Sequence, residues 1–263
     1  MNPANQDSHN LITLNNDNGT VVLTLNRPAQ YNALSSELLS TLNSTLEQLK
    51  NDSTARVLII AASGKAYCAG HDLKEMRLAN NEKFVRQMFQ DCASMMLKIA
   101  RLPIPVIAEV QGMATAAGCQ LVAQCDLAVC SENATFAVSG VNLGLFCSTP
   151  AVPLSRTISR KRAAEMLMTG EFINAETALD WGLVNRVSHT NELRATALAL
   201  ADKLKAKPQA ALATGKALFY RQMECGIEAA YQDASATIAC NFMHPDAQEG
   251  VAAFLEKRKP DWC

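Results

Sequence analysis

No apolar run in this chain approaches the roughly 18 residues that a membrane span needs, so no membrane partner is expected. Charge of one sign is equally missing. Lysine and arginine number 24 against 25 aspartate and glutamate, for a net charge of −1. That balance gives no pull toward nucleic acid or an anionic surface, and no lysine-rich helical comb offers an RNA partner. Histidine is scarce, with four residues at 9, 71, 189 and 244, none spaced as a metal pair. The nine cysteines include no CxxC pair, and Cys119, Cys125, Cys130 and Cys240 lie in apolar runs. An odd set of this kind reads as small buried hydrophobes, and no metal is expected. Met1 to Asn10 is polar and holds no arginine or lysine. Neither a secretory nor a mitochondrial presequence is visible, and a cytoplasmic location is expected.

What is present is an ordinary globular pattern: 263 residues, 49% hydrophobic and 19% charged. Leu11–Leu14 and Val21–Leu25 alternate around Asn18-Gly19, a pair that supplies the positive φ angles of a tight hairpin turn. Arg27-Pro28 ends the hairpin. Ser35–Lys50 places Leu38, Leu39, Leu42, Leu46 and Leu49 at helical spacing. Val57–Ala62 is a continuous apolar run suited to a strand buried on both faces, and Val106–Val110, which carries Glu109, and Leu127–Val129 repeat the theme. Helical stretches at Asn81–Ile99 and Gly118–Gln124 alternate with them, which predicts an α/β core with mostly parallel pairing. After about Pro153 strands all but vanish. Helices are predicted over Lys161–Thr169, Ala175–Gly182, Glu192–Lys207, Gln209–Met223, Ile227–Asn241 and Ala247–Lys259, and a surplus of helices over strands suits packing against other subunits.

Two loops carry the chemistry. Cys68-Ala69-Gly70-His71-Asp72-Leu73-Lys74 and Thr115-Ala116-Ala117-Gly118-Cys119-Gln120 each follow an apolar strand and open a helix-like stretch. Loops after parallel strands emerge on one sheet edge, so their backbone N–H groups can converge. Two such amides would form an oxyanion hole, worth roughly 3–4 kcal/mol of transition-state stabilisation per donor. Taken singly, each loop has a plainer reading. The first is also a surface turn with Asp72 as a cap, and the second a glycine that lets helix and sheet approach. Cys147 and Ser148 lie in the Val141–Pro150 loop without a visible base to activate a thiol. Glu109 inside an apolar strand reads as an ion-paired carboxylate. Lys257-Arg258-Lys259 after Phe254 suits a helix C-terminus and equally a phosphate site beside an aromatic ring.

In the order of its motifs the chain resembles the crotonase (enoyl-CoA hydratase/isomerase) superfamily over about residues 10–260. The shared runs are Leu25-Asn26-Arg27-Pro28, Asn32-Ala33-Leu34-Ser35, Lys65 through Lys74, Pro105 through Gly112, Cys125-Asp126-Leu127-Ala128, Gly182-Leu183-Val184 and Glu249 through Pro260. A mitochondrial group within it shares Gly70 through Glu75, the Gly140–Pro150 run, Gly215-Lys216-Ala217 and Gln248–Pro260.

The resemblance implies a flexible N-terminus (1–9), a crotonase-like ββα spiral core (10–190) and a C-terminal helical region (191–263) that drives trimerisation, as a homotrimer or homohexamer. It implies an acyl-CoA thioester as substrate, with coenzyme A as part of that substrate, no permanently bound cofactor and a place in fatty acid metabolism. The oxyanion amides fall on His71 and Ala117. The coenzyme A wall falls on Ala33, Ala69, Asp72, Leu73 and Lys74, with Phe254 and Lys257 brought by a neighbouring subunit. Hydratases of the family carry two glutamates where this chain has Gln120 and Gly140, and isomerases an aspartate near Ser148. Each acid–base group is worth about 10²–10⁴ in rate, and neither an amide nor a glycine titrates. Cys147 stands near the positions of those groups. Three functions follow as expectations: hydratase/isomerase-family chemistry by enolate stabilisation, decarboxylation of the methylmalonyl-CoA type (through Gly70-His71-Asp72 and Val141 to Gly144), and acyl-CoA binding without catalysis.

Overall fold

The computed structural model describes residues 10–262, so the N-terminal segment 1–9 lies outside the described residues. Strands β1 (Ile12–Asp17) and β2 (Thr20–Leu25) form the hairpin, turning at Asn18 (φ 48°) and Gly19 (φ 81°). Both central residues take the left-handed conformation that Asn-Gly tolerates at low cost. Helix α1 (Ser36–Lys50) starts where the Ser35 side chain accepts the Leu38 N–H at 3.2 Å, and its spaced leucines are buried.

From here each turn of chain gives one strand to each of two sheets and then a helix. β3 (Val57–Ala62) and β4 (Ala66–Cys68) precede α2 (Leu73–Ala79) and α3 (Glu82–Arg101). β5 (Val106–Val110) and β6 (Met113–Thr115) precede α4 (Ala117–Gln124). β7 (Leu127–Ser131) and β8 (Thr135–Ala137) lead through a 3-10 turn at Ser139–Leu143 into α5 (Ser148–Thr157) and α6 (Arg160–Thr169). β9 (Ile173–Asn174), α7 (Ala175–Trp181) and β10 (Arg186–Ser188) close the spiral. The first sheet has the order β1-β2-β3-β5-β7-β10 and the second β4-β6-β8-β9. Pairing is parallel except at β1–β2 and β8–β9. The resemblance implies a second sheet through its ββα spiral, but the residues themselves do not reveal its strands, which at two or three residues each are too short to show a period.

The first sheet is buried on both faces. Leu58, Ile60, Val106, Ala108 and Val110 face the main core, which includes buried residues of α1, α3 and α4. Val57, Ile59, Ile107 and Val129 face outward onto Leu193, Ala197 and Leu200 of α8 (Leu193–Lys205). α8, the first helix of the expected 191–263 region, thus covers its own chain's sheet. The remaining helices are α9 (Gln209–Gln222), α10 (Ile227–Phe242) and α11 (Pro245–Leu255). α9 is fastened by a partly buried network in which Lys216 Nζ donates to Asp126 Oδ2 (2.6 Å), Ile99 O and Ile104 O. Tyr220 donates to Asp126 Oδ1 at 2.8 Å. The outer faces of α9 and α10 leave Phe219, Ile227, Tyr231, Ile238 and Phe242 exposed. α11 ends at Leu255, short of the Lys259 expected from the periodicity, and Lys257 turns left-handed at φ 57°.

Candidate active site

β4 ends at Cys68, and the chain reverses through Gly70, whose φ of 91° suits glycine. The segment after it forms a lone parallel bridge with Leu34. Leu34 N donates to Gly70 O at 2.8 Å and Asp72 N donates to Leu34 O at 3.0 Å. Residues 70 and 72 are thereby engaged, and the N–H of His71 between them points the other way.

The second loop leaves β6 through Ala116, held at φ 51° and ψ −119°, a conformation that strains any residue with a Cβ. Its own N–H donates to Ala137 O at 3.0 Å. α4 then begins at Ala117, so that the amides of its first turn have no partner inside the helix. The two loops meet at their glycines. A Cβ on Gly70 would stand 2.9 Å from Ala116 Cβ and 3.2 Å from Ala117 N. A Cβ on Gly118 would stand 2.0 Å from Cys68 O. Only glycine allows this approach, which puts the residue before His71 against the first amide of α4.

A third loop closes the far side. Ser139 Oγ lies 2.9 Å from Thr115 Oγ1, and Gly140 N donates to Cys147 Sγ at 3.3 Å. Cys147 is buried at the end of the loop expected from the sequence, immediately before α5, which takes Ser148 as its first residue. Burial pushes its thiol up, partly opposed by the Gly140 N–H, so a protonated thiol is the resting form. Gln120 is 3% exposed and its Oε1 has no hydrogen-bond partner. Around these amides, then, stand a neutral carboxamide, a glycine and a thiol. Among the described residues no group of three His, Cys, Asp or Glu side chains could hold a metal.

The bridge also gathers the expected ligand wall. Ala33, Ala69, His71 and Asp72 are half-buried, and Leu73 and Lys74 are exposed on the first turn of α2. Asp72 caps that helix by accepting the Glu75 N–H at 3.3 Å. Phe254 is not brought to this strip within the chain. It joins Pro208, His244 and Trp262 around a concavity of about 360 Å³, and Lys257 follows it beyond the end of α11. Glu109 faces α8, with Arg194 Nε 2.7 Å from its Oε2. Burial raises its pKa and Arg194 opposes the rise. It lies on the sheet face opposite Ala108 and Val110, outside the site. Sequence reasoning missed Arg27, Asn32 and Ser139 as parts of this constellation. Arg27-Pro28 signals only a turn until Asp72 is seen beside it.

The His71 ring packs on Phe89 with centroids 4.5 Å apart, and its Nε2 is buried without a partner. Burial lowers its pKa to about 4. The unfolded chain takes up this proton near pH 6.5, before the folded chain does. Stability contributed by the neutral ring is therefore complete above pH 6.5 and is lost as pH falls toward 4, by up to about 3 kcal/mol. Urea unfolding at pH 7 and pH 4.5 should show a larger loss for wild type than for His71→Gln. Equal losses would mean that the ring titrates freely.

Comparison with known proteins agrees with this architecture. The enoyl-CoA hydratase/isomerase family profile matches residues 15–263. The mouse protein named enoyl-CoA hydratase domain-containing protein 3, mitochondrial, is 42% identical over 261 residues, covering 99% of this chain and 87% of its own. A crystal structure titled enoyl-CoA hydratase from Mycobacterium smegmatis superposes with a TM-score of 0.95 at 56% identity, covering 96% of this chain and 99% of that one. The human domain-containing protein 3 structure gives 0.93 at 41% identity, covering 96% and 100%. These names overturn the cytoplasmic location expected from the sequence, since the mouse, zebrafish, rat and human relatives are all named mitochondrial. The composition of ten residues, Met1 to Asn10, was too slight a basis for that expectation.

Proposed function

The chain belongs to the enoyl-CoA hydratase/isomerase family, and we propose that it binds acyl-CoA thioesters and stabilises their enolates at the amides of His71 and Ala117. The interlock of Gly70 with Ala116 and Ala117 carries this reading. It sets a bridge-oriented N–H beside a helix N-terminus, whose positive end favours a developing oxyanion. A thioester oxygen accepting both would be polarised, and a negative charge forming on it would be held without reorganisation. Coenzyme A enters as part of the substrate, along Ala33, Ala69, Asp72, Leu73 and Lys74.

Catalysis in this reading rests on charge stabilisation, because no carboxylate stands at Gln120 or Gly140. The same fact favours decarboxylation as a second reading, since loss of carbon dioxide needs an enolate sink and no water-activating base. Titration calorimetry with acetyl-CoA and acetoacetyl-CoA tests the common premise. Binding below millimolar concentration is expected, and its absence would remove coenzyme A from the account. Ala117→Pro deletes one donor at a helix position that tolerates proline and should weaken carbonyl polarisation sharply. Carbon dioxide release from methylmalonyl-CoA separates the decarboxylase reading, and binding without turnover of any thioester would leave a carrier or sensor.

The apolar faces of α9 and α10 support assembly as a homotrimer or homohexamer, since large exposed side chains clustered on successive helices commonly mark an interface. Phe254 and Lys257 would then reach the coenzyme A end of a neighbour's site. Light scattering at micromolar concentration should give at least three chains; a monomer would remove both the assembly and that contribution.

A further inference from the structure

We propose that Arg27 is a positioning residue for the His71 amide, an inference that rests on the oxyanion reading above. The guanidinium forks to two residues of the expected ligand strip: Nη2 lies 3.2 Å from Asp72 Oδ2, and Nη1 donates to Ala33 O. Asp72 follows His71 in one segment, and Ala33 precedes Leu34 in the other. These are the two segments of the lone bridge, so one side chain clamps both from the end. The pair is well shielded, with Arg27 and Asp72 side chains 16% and 15% exposed.

The clamp is itself anchored. Asn32 is fully buried, and its Oδ1 accepts the Arg27 N–H at 2.8 Å. Its Nδ2 donates to Ser63 O at 2.9 Å, just past β3, and to Ala66 O at 2.8 Å, at the start of β4. A second tie runs from the Ser36 N–H to Glu75 Oε2 at 3.0 Å, joining the starts of α1 and α2. The His71 amide is thus referenced to both sheets through Asn32, Arg27 and Asp72 in sequence. Beside the two hydrogen bonds of the bridge, the segments are tied by Ala69 N–H donating to Tyr31 O at 3.0 Å, which is no regular ladder, whereas a displacement of about 1 Å at a reacting centre can cost about 10²-fold in rate. Arginine fits the role because its planar fork serves two acceptors at fixed geometry; a lysine ammonium in its place is a point donor.

The test uses 4-dimethylaminocinnamoyl-CoA, whose absorption moves to the red when its carbonyl is polarised. Wild type should bind it with a red shift. Arg27→Ala should lose most of that shift while Kd rises less than about 10-fold, a loss of under about 1.4 kcal/mol in binding. Arg27→Lys should recover part of the shift. A role in folding alone would lower the melting temperature yet leave the bound spectrum as in wild type, and that result overturns the proposal. Should Arg27→Ala fail to fold, Arg27→Lys decides: a partial shift supports the role, and an undiminished one overturns it. Wild type that binds the probe with no shift would overturn the oxyanion reading itself, and the role of Arg27 with it. A shift equal in wild type and Arg27→Ala would overturn only the role of Arg27.

Discussion

On the proposed reading, crotonyl-CoA should be hydrated by this protein at least about 10³-fold more slowly than by a hydratase with two glutamates, because neither Gln120 nor Gly140 titrates and each acid–base group is worth about 10²–10⁴. Loss of the enoyl absorbance band measures it. Gln120→Glu should recover about 10-fold to 10²-fold. The position is nearly closed to solvent, and burial without a cation would raise the new carboxyl toward neutrality, where it can both give and take a proton. Adding Gly140→Glu should bring nothing further. Gly140 is not held at positive φ, so backbone strain is not the obstacle. The space is taken: a Cβ there would lie 2.6 Å from Leu145 O and 2.8 Å from Cys147 Sγ. Shortening Cys147 frees only the thiol, and the Leu145 carbonyl is backbone. Rapid hydration by the unaltered protein would show that another group supplies the missing chemistry.

Gly118→Ala should be the most damaging single-methyl change in the site. Its Cβ would stand 2.0 Å from Cys68 O, 2.7 Å from Cys68 C and 2.9 Å from Cys68 Cβ. Neither side can yield cheaply, because Cys68 ends β4 and Gly118 sits in the first turn of α4. Overpacking a tight core costs about 1–3 kcal/mol even where side chains can adjust, so about 3 kcal/mol or more is expected here. For a chain of this size that lowers Tm by about 6–12 °C. The same shift should separate the loops that present His71 and Ala117, so thioester binding should weaken in whatever protein remains folded. A variant that melts and binds like wild type would show that the two loops are not pinned by this contact.

The sequence by itself determined the local geometry. Asn18-Gly19 fixes the hairpin because both residues accept positive φ. The apolar runs Val57–Ala62 and Val106–Val110, the second carrying Glu109, read as strands covered on both sides because they are short and rich in β-branched residues. Ser35, Asn81 and Asn174 start helices by accepting free N–H groups. The order of the motifs, with Gly70 and Gly118 after strands, was enough to indicate the family and the two candidate amides.

Only the tertiary structure decided what surrounds them. The second sheet is made of strands that no periodicity can reveal, because two or three residues gain their order from partners far along the chain. α8 reads from sequence like the helices after it, and its place on the first sheet depends on Ile59, Ile107 and Val129 sharing one sheet face, which it buries. Gly140 reads as a lost carboxylate, whereas the Leu145 carbonyl and the Cys147 thiol fill the room a side chain would need. Arg27 and Asp72 are 45 positions apart, and their meeting follows from the path of the spiral, not from anything either residue prefers locally. Propensity and turn chemistry act over a few residues, while burial and the partners of a charged group are set by the whole chain.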